Sequence, residues 1–153
     1  AGGSAGACSV LNVALRDNNA LGVFSVGASI AQTTLDPKLM REIIPNISYG
    51  HNAFGFAKFE HFLAKRDEVL PLVRQYSPID LVATLDPKRA PKLFLSYQDR
   101  PTPGKDAKDA VHAPAFGVIF EEACRKRGIP CEITYGKAAK DRKTSIAELL
   151  LAK

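Results

Sequence analysis

The chain has 153 residues, 46% of them hydrophobic and 24% charged, the proportions of an ordinary globular domain with room for a sizeable core. No apolar run approaches the ~20 residues that cross a bilayer, and no segment reads as a signal peptide, so localisation and oligomeric state stay open. The net charge of +5 is scattered over short groups such as Lys65-Arg66, Lys88-Arg89 and Arg125-Lys126-Arg127, and the densest stretch, 137–143, is broken by Asp141; this reads as solvated helix ends and loops, not as a nucleic-acid surface.

The first feature stands at the start of the chain. Gly2, Ser4 and Gly6 form a G-x-S-x-G pattern, in which a serine sits on a sharp strand-to-helix turn and the flanking glycines make room for the backbone. Residues 7–18 supply the helix, with apolar Val10, Leu11, Val13, Ala14 and Leu15. Only Ala1 precedes Gly2. The strand side is therefore not visible, and the pattern alone is equally compatible with a flexible run of small residues.

Residues 21–32 form an apolar run that fits a buried parallel strand at 23–28. Asp36 and Pro37 give an N-cap and a first-turn proline for a helix over 38–44. Residues 47–55 are loop-like. Helical spacing returns over 56–63 and 66–75, where Pro71 is expected to kink or restart the helix. Ser77 and Pro78 repeat the cap signal and open a short helix ending at Thr84. Residues 92–97 (KLFLSY) read as the second strand, followed by a long polar loop, 98–113. An amphipathic helix is predicted over 115–126, closed by Gly128, Ile129 and Pro130. Residues 131–135 read as the third strand, and a final helix is predicted over 145–152. Cys8, Cys124 and Cys131 fit no metal-ligand spacing. They read as free thiols, with a Cys124–Cys131 bridge possible but unforced.

Strands alternate with helices and no hairpin dipeptide joins two strands. That order predicts an α/β fold in one domain, with a mostly parallel sheet of about three strands, flanking helices and a helical insertion at about 37–76.

Taken together, GGSAG at 2–6, TTLDP at 33–37, YSPIDLV at 76–82, PKLFLSYQD at 91–99 and VHAPAFGVIFEEACRKRGIPCEITY at 111–135 resemble the C-terminal half of an alpha/beta-hydrolase of the lipase- and esterase-like branch. The resemblance covers essentially the whole chain. It implies a serine hydrolase acting on small-molecule carboxylic esters, with no cofactor and no metal, represented by a fragment that begins at the nucleophile elbow. Ser4 would be the nucleophile and the Ala5 amide one oxyanion donor, the second coming from a loop with no counterpart in this chain. The acid would lie after the second legible strand, where Asp99, Asp106 and Asp109 all stand; the spacing to the following helix favours Asp109.

The base is the departure. The resemblance expects a histidine within 136–145, and that segment has none. Of the histidines present, His61 reads as a helix-surface residue and His51 as a loop residue that packs or lines a pocket. His112 adjoins Asp109 but stands at the start of a helix, so reaching Ser4 would take unusual loop geometry. The alternative implied by this gap is a catalytically silent binding or scaffold relative.

Overall fold

The computed structural model describes residues 1–137; the helix expected over 145–152 lies outside the described residues. The chain folds as a four-stranded, all-parallel sheet in the order β1-β2-β3-β4, with β1 at Gly2–Gly3, β2 at Ser25–Ser29, β3 at Lys92–Tyr97 and β4 at Cys131–Tyr135. The three expected strands are present, and β1 is one more. It is two glycines long, and it pairs Gly2 with Ala28 and Gly3 with Ser29.

Among the described residues, six α-helices accompany the sheet: α1 (Ala5–Leu15), α2 (Pro37–Ile43), α3 (Phe59–Ala64), α4 (Arg66–Arg74), α5 (Pro78–Thr84) and α6 (Ala115–Arg127). The crossovers between neighbouring parallel strands run through α1, α5 and α6. Right-handed crossovers between successively ordered strands place such helices on one face of the sheet, and α1 and α6 both pack on α5. Leu11, Leu15, Val26, Leu93, Leu95 and Phe120 fill the core between these helices and the sheet. A second apolar cluster lies under the insertion, where Met40, Ile44, Phe59 and Phe62 pack with Ala113 and Phe116. The second cluster thus reaches the segment that leads into α6.

Several helix ends differ from their predicted positions for local reasons. α1 starts two residues early, at the turn itself, and stops at Leu15 because Asp17, Asn18 and Asn19 take positive φ; Asp and Asn tolerate that conformation best after glycine. The Asn19 side chain holds the reversal by accepting from the Val23 amide and donating to the Arg89 carbonyl. Asp36 caps α2 as expected, accepting from the Lys38 amide at 3.0 Å, and also receives the Arg66 guanidinium. Ser77 does not cap α5: its hydroxyl accepts instead from the Leu35 amide, at 3.4 Å. α4 runs through Pro71 as one helix rather than restarting there. Pro71 is the sixth of the nine residues of α4, so the helix continues past it without the bond an amide at that position would make to the Asp67 carbonyl.

One glycine sets how closely α6 lies on the sheet. A Cβ at Gly117 would stand 2.5 Å from Cε2 of Tyr97 and 2.9 Å from the Tyr135 hydroxyl. The Tyr97 ring cannot yield, because it is fully buried, stacks on Tyr135 and donates its hydroxyl to the Ala31 carbonyl at 2.7 Å. Gly117→Ala is therefore expected to cost about 1–3 kcal/mol, the usual range for overpacking a core, read as a lower urea midpoint. An unchanged midpoint would contradict this helix–sheet contact.

Candidate active site

Ser4 links β1 to α1 with φ 52° and ψ −122°. A non-glycine residue at positive φ is uncommon and carries strain of order 1–3 kcal/mol. The turn is tight enough that a Cβ at Gly2 would meet the Gly6 carbonyl oxygen at 2.3 Å. Any side chain at residue 2 would force the turn open. Ser4 stands at the N-cap of α1, where serine usually bonds a first-turn amide, yet its side chain makes no capping bond. The hydroxyl points elsewhere.

It points at His112. Ser4 Oγ lies 2.7 Å from His112 Nε2, across 108 positions of sequence. His112 Nδ1 lies 2.7 Å from Asp109 Oδ2, and the His112 backbone amide donates to Asp109 Oδ1 at 3.4 Å. An ionised carboxylate can only accept. Nδ1 therefore carries the ring proton, and the lone pair of Nε2 accepts from the serine hydroxyl. The His112 N–H beside it holds the Asp109 carboxyl below its ordinary value, despite a small opposing effect of burial.

The expectation that His112 could not readily reach Ser4 is overturned. His112 is not yet in a helix: α6 begins at Ala115, and residues 98–114 form a loop. The end of α2 clasps this loop. Asn46 donates to the Ala107 carbonyl at 2.9 Å and accepts from the Ala107 amide at 3.1 Å, while the Gly104 amide donates to the Ile43 carbonyl at 2.8 Å. Ala107, Ala110 and Val111 then pack on the insertion's apolar cluster. The insertion, read from sequence only as a helical segment, is what aims the histidine. Of the three candidate carboxylates, Asp109 is the one hydrogen-bonded to His112. An Asp-x-x-His spacing within one turn was the sequence signal that could have singled out the pair.

The strand ends beneath the serine are tied together. The Ser4 amide donates to the Ser29 carbonyl at 3.0 Å, the Ser29 and Ser96 hydroxyls lie 2.9 Å apart, and the Ile30 amide donates to the Ser96 carbonyl at 2.7 Å. Ile30 itself has φ 49°, a genuine outlier for a β-branched residue. Strain thus gathers at the ends of β1 and β2. The Ala5 amide opens α1, where helix geometry offers no intrahelical acceptor.

A cleft of about 1150 Å³ opens beside these groups, and Ser4, Ala5, His112 and Ile30 are among its lining residues. His51 lines it as well, with a buried Nδ1 that has no hydrogen-bond partner among the described residues; His61 is exposed on α3. Cys8 borders the cleft as a free thiol whose ionisation is pushed up by burial. Cys124 and Cys131 are also free, and the neighbouring Cys124 thiol together with burial raises Cys131 well above its ordinary value. Among the described residues, no group of three or more His, Cys, Asp or Glu side chains could hold a metal ion, and no helix is long and apolar enough to cross a membrane. Comparison with protein-family models, with curated proteins and with solved structures finds no match to this chain.

Two measurements check the Asp109–His112 pair. In ¹⁵N-resolved spectra of the neutral imidazole, His112 is expected as the Nδ1–H tautomer, a preference that Asp109→Asn weakens; a dominant Nε2–H form in the wild-type protein would contradict the pairing. A carboxyl whose folded-state value lies below the unfolded one stabilises the fold above the unfolded value and loses that contribution as pH falls through the folded one. The stability gap between wild type and Asp109→Asn should therefore be present at neutral pH, begin to close as pH falls past the ordinary carboxylate value of 3.8, and vanish below the depressed folded-state one. Because the pair is solvent-exposed, the gap should not exceed about 1 kcal/mol. A gap that grows as the pH is lowered below 3.8 would be inconsistent with a depressed Asp109.

Proposed function

We propose that this chain is a serine hydrolase acting on carboxylic esters, with Ser4 as nucleophile, His112 as general base and Asp109 as the group that orients and steadies the imidazole. The observation that carries the reading is the unbroken relay of two 2.7 Å contacts from serine to histidine to carboxylate. It gains weight because the serine is strained and gives up its helix-capping bond to take part. A free serine hydroxyl is a weak nucleophile at neutral pH and needs an adjacent base. Here the base accepts from that hydroxyl, and its far nitrogen donates to an anion.

The chemistry follows from the roles. Ser4 Oγ attacks the ester carbonyl carbon as its proton passes to His112 Nε2, and the carbonyl π electrons move onto oxygen. The Ala5 N–H at the start of α1 is the donor nearest in sequence to that oxyanion. When the tetrahedral intermediate collapses, the C–O bond to the alcohol breaks and His112 returns the proton to the departing oxygen. Water then attacks the acyl carbonyl carbon as it gives a proton to the same nitrogen, and the bond from that carbon to Ser4 Oγ breaks as His112 returns the proton to the serine. The imidazolium formed in each half-reaction faces the Asp109 carboxylate, which is ionised at neutral pH, and the same contact lowers the carboxyl's value.

The resemblance to the lipase- and esterase-like alpha/beta-hydrolases supports the same reading from the sequence side. The silent-scaffold alternative rested on the want of a histidine within 136–145; the 2.7 Å contact of His112 with Ser4 favours the hydrolase reading over it.

Labelling with a fluorophosphonate probe tests the roles directly. The wild-type chain should label and Ser4→Ala should not. His112→Ala should slow labelling by about 10²–10⁴-fold, the range general-base assistance usually supplies. Equal labelling of wild type and Ser4→Ala would remove Ser4 as the nucleophile.

A further inference from the structure

The cleft is far longer than the reacting atoms require, and its shape follows one helix. Ala5, Cys8, Ser9, Asn12, Val13 and Arg16 all line it, and their spacing is that of a single stripe along α1. The opposite stripe, Ala7, Leu11, Ala14 and Leu15, is buried in the core. The cleft floor therefore starts at Ser4 and runs with the axis of α1, covering about 13 Å to Val13 and about 18 Å to Arg16 at 1.5 Å per residue.

The walls are apolar. Among the described residues, five of the six exposed large hydrophobic side chains, Val13, Leu21, Tyr49, Leu72 and Tyr76, line this one cleft. Such a concentration marks a binding surface rather than the scattered exposure normal to proteins. Across from α1, every residue of 48–54 borders the cleft, and Gly50 and Gly55, with φ of 84° and 81°, flank the short turn His51–Phe54 within that wall. The floor and the wall near α5 are fastened together: Asn12 donates to the Tyr76 carbonyl at 2.6 Å, and Arg16 donates to the Gln75 carbonyl while stacking 4.5 Å over the Tyr76 ring. Arg16 and Asp17 bring charge to the far end.

We propose that this stripe of α1 is a track for one linear hydrocarbon chain of the ester, and that Val13 sets the chain length the enzyme prefers. The inference rests on the Ser4–His112 reading for its starting point and adds the substrate class: esters of medium to long unbranched acyl chains. The small side chains at Ala5, Cys8 and Ser9 leave the floor low beside the serine, and Val13 is the large apolar residue farther along. An extended chain of carbon–carbon bonds of about 1.5 Å advances roughly 1.3 Å per bond, so about ten carbons reach from Ser4 to Val13. Shorter chains stop before it.

Initial rates on p-nitrophenyl butyrate, octanoate and dodecanoate, compared between wild type and Val13→Trp, provide the test. Val13 is 53% exposed, so the fold should tolerate the larger side chain, and circular dichroism checks that it does. The ratio of kcat/KM for dodecanoate to that for butyrate should fall by at least about tenfold in Val13→Trp, the contribution of roughly two buried methylenes. A ratio unchanged within about twofold would overturn the track. Calorimetric titration of Ser4→Ala with dodecanoate, below its micelle concentration, separates the two readings. Binding that is lost in Ser4→Ala/Val13→Asp would uphold the track even if the wild type hydrolyses no ester, in which case only the hydrolase reading fails. No binding, or equal binding in both proteins, would overturn the track whatever the activity.

Discussion

Two hydrogen bonds between Asn46 and the backbone of Ala107 decide where the loop from β3 to α6 lies, and the arrangement of the site follows from that placement. The loop is polar and carries Pro101, Pro103 and Gly104, a composition that gives it little structure of its own. A side-chain amide that both donates to and accepts from one residue fixes that residue's position and orientation together. The Gly104 amide on the Ile43 carbonyl adds a second anchor, and Val111 and Ala113 seat the loop's end on the insertion's apolar cluster. Asp109 and His112 come between the Asn46 clasp and the buried residues that start α6.

The serine side is held by a different device. The turn around Ser4 cannot open without breaking the pairing of β1 with β2, and it cannot carry a side chain at Gly2. Its strain is borne by the sheet beneath, through the Ser4 amide on Ser29 and the hydroxyl contact between Ser29 and Ser96. The two halves of the site are thus supported separately, one by the sheet and one by the insertion, and they meet at a single 2.7 Å contact. In the proposed reaction, preorganisation of this kind lowers what must be reordered when charge develops at the serine. It also leaves the cleft between the two supports, along the outer face of α1.

Much of the architecture was legible in the sequence. β3 and β4 follow from short apolar segments, α5 from the first-turn Pro78, and α6 from helical apolar spacing closed by Gly128, which takes φ 67° at its end. β1 was not, because two glycines carry no hydrophobic pattern and their pairing with Ala28 and Ser29 is purely backbone. The Gly2–Gly6 pattern correctly marked a sharp turn leading into a helix, and the preference for Asp109 over Asp99 and Asp106 matches the carboxylate that contacts His112. The contact of His112 with Ser4 was hidden for a physical reason. Its position depends on Asn46, Ile43 and the insertion core, contacts made across some sixty residues of chain, whereas local spacing placed it only at the edge of a helix.

The distance between Ser4 Oγ and His112 Nε2, measured crystallographically in the wild type and in Asn46→Ala, tests this dependence most directly. Hydrogen-bonding distance in the wild type, lost in Asn46→Ala while β1 and α1 stay in place, is the predicted result. A His112 turned away from Ser4 in the wild type, or one that keeps its contact after the clasp is removed, would contradict it.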